Sequence, residues 1–211
     1  VASTGLNEAS LKRENIPYAA SYTHPAPYAT YYPGGRTMAI KLLFDPEKGT
    51  ILGAQILGFQ GVDKRIDVLA TCIKNNQTVF DLQELELAYA PPFSSAKDPI
   101  NMAGYVAGNI VKGDMEVFHW NQIEDFAVSD SLLLDVRTPA EFAQGVIPGA
   151  VNIPVDELRQ RINEIPKDKL ILVYCRVGLR GYIAYRILKQ MGYQRVKNLS
   201  GGWLTYEAAR Q

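Results

Sequence analysis

The segment 175–180 has the composition of a reactive-thiol loop, with the one-letter sequence CRVGLR. It lies between an apolar run that predicts a buried strand over 170–174 and a helical pattern over 181–191. Backbone N–H groups at a helix start have no intrahelical partner and carry a partial positive charge, which favours a bound anion. Together with the full charges of two arginines, they should stabilise a thiolate on Cys175.

Each residue of this loop has an expected role. Cys175 is the expected nucleophile, which attacks a sulfane sulfur as a thiolate and then holds the resulting persulfide. Arg176 and Arg180 are expected to stabilise the anion in both states. The backbone N–H groups at the centre of the loop should form an anion cradle, supplied by Val177, Gly178 and Leu179. The glycine gives the backbone the freedom to turn these groups inward.

Other interpretations of the loop stay open at this point. A cysteine at the end of a buried strand is often a small apolar core residue, although the flanking charges favour catalysis. Cysteine-dependent phosphatases resemble the layout, but their arginine lies one position further from the cysteine than Arg180 lies from Cys175. The shorter loop encloses a smaller anion, which favours sulfur transfer over phosphate-ester hydrolysis. A non-catalytic dimerisation or docking module is the alternative from another class, and the intact thiol and arginines argue against it.

The second half of the chain alternates apolar runs with helical patterns. Strands are predicted over 132–136, 150–153, 170–174 and 195–198, and helices over 156–163, 181–191 and 202–209. A capping box begins a further helix, with Thr138 as N-cap, Pro139 at the first position and Glu141 at the third. This alternation predicts an α/β domain with a parallel sheet and helices on both faces.

The first half places strands before helices, which predicts an α+β domain with a β-hairpin sheet. The hairpin is expected from strands over 36–44 and 50–58, joined by a five-residue loop. Helices are predicted over 62–74 and 98–111. Cys72 lies beside the apolar stripe of the first of these helices, so we interpret it as a structural residue.

The change of pattern predicts a first domain over 1–112, a linker over 113–122 and a second domain over 123–211. The chain begins at Val1 and contains neither a glycine-rich dinucleotide fingerprint nor a Walker phosphate-binding loop. We therefore expect it to be a fragment of a longer polypeptide.

Charge and cysteine content narrow the choice of partners. Lys+Arg and Asp+Glu are both 22, so nothing favours a nucleic acid or an anionic membrane. No apolar run approaches the ~20 residues that a membrane span needs. Two cysteines do not make a disulfide framework, which favours the cytoplasm. No metal site is indicated, and the expected partners are small molecules, a sulfane-sulfur donor and a thiol acceptor of open identity.

Residues 116–211 resemble a single rhodanese domain. Four motifs carry the resemblance in the family's order, LDVRTPAEF at 134–142, IPGAVNIP at 147–154, CRVGLR at 175–180 and LSGGW at 199–203. The family usually has a histidine where Val146 stands. The resemblance implies a persulfide-forming sulfurtransferase with Cys175 as the sulfur carrier. It also implies that Asp135 and Arg137 stabilise the fold through polar contacts.

Residues 1–112 resemble the dimerisation domain of FAD- and pyridine nucleotide-dependent disulfide reductases, closest to the coenzyme A-disulfide branch. The specific part is the sequence AYAPPFSSAKDP at 88–99. The wider family extends a histidine into the partner's active site, and the coenzyme A branch is expected to use tyrosines. By position these are Tyr89 and one of Tyr31 or Tyr32, with Tyr31 favoured.

The two resemblances together imply a coenzyme A-disulfide or coenzyme A-persulfide reductase with a C-terminal rhodanese domain. Such an enzyme is a homodimer in which the rhodanese cysteine passes sulfane sulfur and the flavin part reduces a persulfide or disulfide. FAD, NAD(P)H and coenzyme A are expected for the full-length enzyme, and none of them is expected to bind this fragment alone.

Overall fold

The structure, a computed structural model, describes residues 1–126 and 130–210. The chain divides into two compact units, Val1–Asp114 and Met115–Gln211. Within the described part of the chain, no helix combines the length and the apolar character that a membrane span requires.

The first unit is built on an antiparallel sheet. Its elements are β1 (Ala2–Gly5), α1 (Glu8–Arg13), β2 (Ala19–Thr23), β3 (Ala39–Phe44), β4 (Ile51–Leu57), α2 (Val62–Lys74), α3 (Val79–Glu84) and α4 (Pro99–Val111). The four strands lie in the order β1-β4-β3-β2. The predicted hairpin is confirmed as β3 and β4, and the two predicted helices are confirmed as α2 and α4.

Four elements of the first unit were not predicted, namely β1, β2, α1 and α3. They contain only 4, 5, 6 and 6 residues respectively, too few to show a clear hydrophobic period. Tertiary packing and caps define them instead. The side chain of Asn7 caps α1, and Thr78 with Asp81 forms a capping box at α3.

The core of the first unit lies between the sheet and the helices. Apolar side chains of β3 and β4, such as Leu42 and Ile56, pack there with Leu69 of α2 and Ile100 of α4. Cys72 belongs to the same cluster, and burial raises the pKa of its thiol. A buried thiol of this kind fits the structural role predicted for it.

The second unit is built on a parallel sheet. Its elements are β5 (Val117–Phe118), a 3-10 helix (Trp120–Asp125), β6 (Ser131–Asp135), α5 (Pro139–Ala143), β7 (Val151–Asn152), a 3-10 helix (Ile162–Glu164), β8 (Leu170–Tyr174), α6 (Leu179–Gln190), β9 (Val196–Leu199) and α7 (Gly202–Ala209). The five strands lie in the order β5-β9-β8-β6-β7 and pair in parallel throughout.

Helices cover both faces of this parallel sheet. Leu199 of β9 packs in the cluster that contains Trp203 of α7. The preceding residue, Asn198, faces the other way and lies against Gly181 of α6. Because successive side chains of a strand point to opposite faces, α6 and α7 lie on opposite sides, which confirms the predicted α/β architecture.

The helix predicted over 156–163 is wrong. The segment forms consecutive turns, and only Ile162–Glu164 is helical, as a 3-10 helix. Pro154 and Pro166 bound the stretch, so it is too short to offset the cost of nucleating an α-helix. Most of its backbone hydrogen bonds span three residues, as in Glu157 N–H to the Pro154 carbonyl at 2.9 Å.

Part of the segment predicted as a linker, 113–122, belongs to the parallel sheet. Val117 and Phe118 form β5, which pairs with Asn198 and Leu199 of β9. A strand of two residues has no alternating pattern that a sequence could display. The second unit therefore begins earlier in the chain than the predicted boundary at 123.

Candidate active site

The Cys175 sulfur lies at the N-terminus of a helix. Cys175 directly follows β8, and only 1% of its surface is exposed. The backbone N–H of Gly178 donates a hydrogen bond to Sγ at 3.1 Å. Gly178 is the N-cap of α6, a helix of 12 residues, whose first-turn N–H groups have no intrahelical acceptor. The sulfur therefore lies where backbone N–H groups at a helix start can contact a bound anion.

Backbone geometry at Gly178 allows this contact. The residue has φ +108° and ψ −24°, a conformation that side chains other than glycine rarely adopt. Its carbonyl accepts a hydrogen bond from Asn198 Nδ2 at 3.1 Å, and the same amide contacts Met115 Sδ at 3.3 Å. The predicted function of Gly178 as the turning point of the loop agrees with this conformation.

The start of α7 holds the other side of the loop. The N–H of Trp203 donates to the Cys175 carbonyl at 2.8 Å, and that of Leu204 donates to the Arg176 carbonyl at 3.0 Å. Gly202 has φ +60°, and a Cβ on it would lie 2.4 Å from the Cys175 carbonyl oxygen. Sequence reasoning missed this supporting role, although the GGW motif was its visible signal.

Arg180 is engaged by a carboxylate. Its Nη1 and Nη2 donate to Glu141 Oε2 and Oε1 at 2.7 and 2.6 Å. The arginine holds the pKa of the Glu141 carboxyl down at about 2. Glu141 in turn raises the pKa of Arg180, and contact with the Cys175 side chain adds to that increase. Arg180 therefore interacts with an ionised carboxylate as well as with the Cys175 side chain, and its pairing with Glu141 was not predicted by the sequence analysis.

The other residues of the loop are more open to solvent. Arg176 is exposed, and within residues 1–126 and 130–210 its guanidinium has no ion-pair partner. Leu179 is 60% exposed, whereas Val177 is half-buried. Of the two arginines predicted to stabilise the anion, Arg180 contacts the Cys175 side chain and Arg176 lies at the surface of the loop.

A buried ion pair lies at the end of β6. Arg137 contacts Asp135 through Nε and Nη2, with the shortest distance 2.6 Å, and donates to the Gly145 carbonyl at 2.7 Å. The guanidinium also lies 4.9 Å from the ring centre of Trp203. Such contacts are expected of residues that stabilise the fold, which is the role predicted for Asp135 and Arg137.

The two candidate tyrosines of the first unit lie side by side. Tyr31 and Tyr89 are 74% and 52% exposed. A hydrogen bond between their side chains raises the pKa of Tyr31. Tyr32, the other candidate, instead packs edge-on against Tyr28 at 5.9 Å between ring centres. The structure thus brings together the favoured pair.

One buried guanidinium holds the two loops that carry these tyrosines. Arg65 of α2 is 1% exposed. Its Nη2 donates to the Pro27 carbonyl at 2.8 Å in one loop and to the Phe93 carbonyl at 3.5 Å in the other. The same nitrogen contacts Asp98 Oδ2 at 2.8 Å, and Asp98 also caps α4. Sequence reasoning missed Arg65 because its partners are distant in the chain.

The chain is similar to known proteins along both units. Residues 119–209 match the rhodanese-like domain, and residues 1–99 match the dimerisation domain of pyridine nucleotide-disulphide oxidoreductases. A sulfurtransferase of Allochromatium vinosum is 51% identical over 77 residues, which cover 36% of this chain and 72% of that protein. Coenzyme A disulfide reductase of Staphylococcus epidermidis is 42% identical over 107 residues, 51% of this chain and 24% of that protein.

Two solved structures match both units. Reduced Bacillus anthracis CoADR-RHD has a TM-score of 0.94 and 52% identity, and the match covers 97% of this chain and 36% of that one. A NAD-dependent persulfide reductase from A. fulgidus has a TM-score of 0.86 and 38% identity, and the match covers 97% of this chain and 37% of that one. The chain therefore spans just over a third of the length of each of these two structures.

A cysteine at the carboxyl end of a parallel strand, beneath a helix N-terminus, is the arrangement of a rhodanese fold, and here it follows an antiparallel dimerisation unit. The chain belongs to the rhodanese-like domain family through its second unit, and its first unit is the dimerisation domain of a pyridine nucleotide-disulphide oxidoreductase. Its homologues are coenzyme A disulfide reductases and persulfide reductases.

Proposed function

We propose that the second unit is a sulfurtransferase that carries sulfane sulfur as a persulfide on Cys175. The observation that supports this most directly is the hydrogen bond from Gly178 N–H to Cys175 Sγ at 3.1 Å. A donor at this position stabilises the thiolate before the reaction and the persulfide anion after it. Arg180 places its guanidinium beside the Cys175 side chain, and Arg176 attracts the incoming donor.

The reaction proceeds in two displacements. The Cys175 thiolate attacks the sulfane sulfur of the donor, and the donor's sulfur–sulfur bond breaks as the new one forms. The donor leaves as sulfite when it is thiosulfate, or as a thiolate when it is a thiol persulfide. A thiolate acceptor then attacks the outer sulfur on Cys175 and leaves with it as a persulfide, which regenerates the Cys175 thiolate.

The first unit places this chemistry in a larger enzyme. The similarity to coenzyme A disulfide reductase and persulfide reductase supports a homodimeric enzyme that uses FAD, NAD(P)H and coenzyme A. The flavin and the nicotinamide are held by domains other than these two units, and the enzyme works in the reducing cytoplasm. Tyr31 and Tyr89 serve the partner's active site, where a hydroxyl donates a hydrogen bond to a leaving thiolate or to a bound sulfur.

Intact-protein mass spectrometry after incubation with thiosulfate or polysulfide tests the persulfide. We expect a gain of one sulfur atom on the wild-type chain, reversed by cyanide or by a thiol. Cys175→Ser should show no gain. Cys72→Ala is the matched control, because it removes the chain's other cysteine and should leave the gain unchanged.

A failure to gain sulfur from any sulfane donor would contradict the proposal. It would favour the second function considered for this fold, a non-catalytic dimerisation and docking module. If the gain of sulfur persisted in Cys175→Ser and disappeared in Cys72→Ala, the sulfur carrier would be Cys72 and the proposal would be contradicted.

A further inference from the structure

Both carboxylate oxygens of Glu141 accept hydrogen bonds from the Arg180 guanidinium. The two side chains form a fork with paired distances of 2.7 and 2.6 Å, across 39 residues of sequence. Thr138 holds the carboxylate in turn, through its N–H at 3.1 Å and its Oγ1 at 3.0 Å. The side chains of Arg180 and Glu141 are only 30% and 23% exposed. Neither can therefore turn away freely to bind a different ion.

This fork changes the charge that a donor meets at the loop. The Arg180 charge is balanced by Glu141, so the pair together contributes no net charge. The Cys175 thiolate is negative, and Arg176 is the loop's positive residue without an ion-pair partner in the described part of the chain. A thiolate and a single uncompensated arginine leave the loop close to neutral. A loop with an unpaired second arginine would instead be positive.

Sulfane donors differ in the charge they bring. Thiosulfate carries two negative charges, while a thiol persulfide brings one or none at its reacting sulfur. The transfers balance in both cases: thiosulfate gives its sulfane sulfur to the thiolate and leaves as sulfite, and a persulfide RSSH gives its outer SH group and leaves as the thiolate RS⁻. A loop without net positive charge disfavours the dianion, because no second cation offsets its repulsion by the thiolate.

We infer that Glu141 is a specificity-determining residue, which acts through Arg180 to favour thiol persulfides over thiosulfate as donors to Cys175. The inference rests on the proposed persulfide chemistry. Glu141 itself contacts neither the donor nor the sulfur. Its effect is to neutralise and orient the arginine that contacts the sulfur.

Replacing the carboxylate by its neutral amide tests the inference. Glu141→Gln keeps an oxygen that can accept from Thr138, and glutamine serves as well as glutamate at the third position of a capping box. Rapid quenching and intact-mass analysis of the full chain would give the rate of Cys175 persulfidation by thiosulfate and by glutathione persulfide. We expect the thiosulfate-to-persulfide rate ratio to rise about tenfold in Glu141→Gln, as for a gained charge-assisted contact.

Two further variants separate charge from geometry. Glu141→Asp keeps the charge on a shorter side chain, and its rate ratio should stay near that of the wild type even if both rates fall. Arg176→Gln removes the uncompensated cation and should lower the ratio, because the dianion loses more attraction than the persulfide does.

The possible outcomes have distinct meanings. Parallel changes in both rates in Glu141→Gln, with the ratio unchanged, would overturn the inference and leave Glu141 a structural residue. The inference would also be overturned if Glu141→Asp raised the thiosulfate-to-persulfide rate ratio as much as Glu141→Gln does. No persulfide on the wild type from either donor would overturn the proposed function itself, and the inference with it.

Discussion

The side chains of Tyr31 and Tyr89 hydrogen-bond to each other at the surface of the first unit, although they come from two loops that are distant in the sequence. Both rings stay largely exposed, so burial does not explain why they meet. When one tyrosine hydroxyl donates a hydrogen bond to the other, the second keeps its own O–H. That O–H is oriented and can donate to a third group. The pair is therefore a preformed polar contact rather than packing.

Removing one hydroxyl should change the titration of the other. In Tyr89→Phe we expect the pKa of Tyr31 to fall toward the ordinary tyrosine value, because the hydrogen bond between the Tyr31 hydroxyl and Tyr89 is the main cause of its increase. Titration of ¹³C-labelled tyrosine by NMR measures this directly. Tyr32→Phe is the control and should leave the Tyr31 curve in place. An unchanged Tyr31 curve in Tyr89→Phe would show that the two side chains do not interact.

Loss of the buried Arg65 guanidinium should destabilise the first unit strongly. Arg65→Met removes the closest cation from the Asp98 carboxylate, which is 2% exposed and keeps Lys64 Nζ at 3.8 Å, and we expect a loss of about 3–5 kcal/mol. Chemical denaturation followed by a probe in the first unit measures it. Arg13→Met is the control, because the Arg13–Glu14 pair is exposed and should change stability by about 0–1 kcal/mol. Equal effects of the two substitutions would contradict the anchoring role of Arg65.

Glycine at position 178 should matter for reactivity as well as for stability. Alanine is strained at a φ of +108°, so Gly178→Ala should cost about 1 kcal/mol or more and displace the N–H that faces Sγ. Gly192→Ala is a matched control, because Gly192 has φ +87° at the far end of α6 with open space around it. Both variants should lose stability, and only Gly178→Ala should form the persulfide more slowly. Equal persulfidation rates would contradict the role of the Gly178 N–H.

Acid should weaken the second unit through Glu141. Its folded-state pKa of about 2 lies below the ordinary value of 4.5, so the ionised form is the one that folding stabilises. The contribution is complete above about pH 4.5 and is lost as the pH falls toward about 2. The difference in unfolding midpoint between the wild type and Glu141→Gln should therefore shrink steadily over that interval. A constant difference from pH 7 to pH 3 would contradict the ion pair.

Local signals made much of this molecule predictable from its sequence. The capping box at Thr138 and Glu141 is a contact within one turn, and it forms as expected. The apolar run before Cys175 and the glycine after it likewise located the strand, the loop and the helix start. In each case the residues that determine the structure are neighbours in the chain.

Contacts between distant segments account for what the sequence did not reveal. Glu141 had been assigned to a helix cap, and nothing local showed that the same carboxylate also binds Arg180. Arg65 lies in the helix predicted over 62–74 and received no role from the sequence, yet its partners lie on two separate loops. Such side chains acquire their function only when the fold brings several elements to one point.

The deep position of Cys175 has a consequence for which sulfur of a donor it attacks. A thiol persulfide offers two sulfurs, and attack on the inner one would attach the whole organic group to the cysteine as a mixed disulfide. With only 1% of Cys175 exposed, a bulky group has little room beside Sγ, whereas a single terminal sulfur atom needs far less. We expect the burial of this residue to direct the reaction to the terminal sulfur and to protect the chain from dead-end disulfides with large thiols.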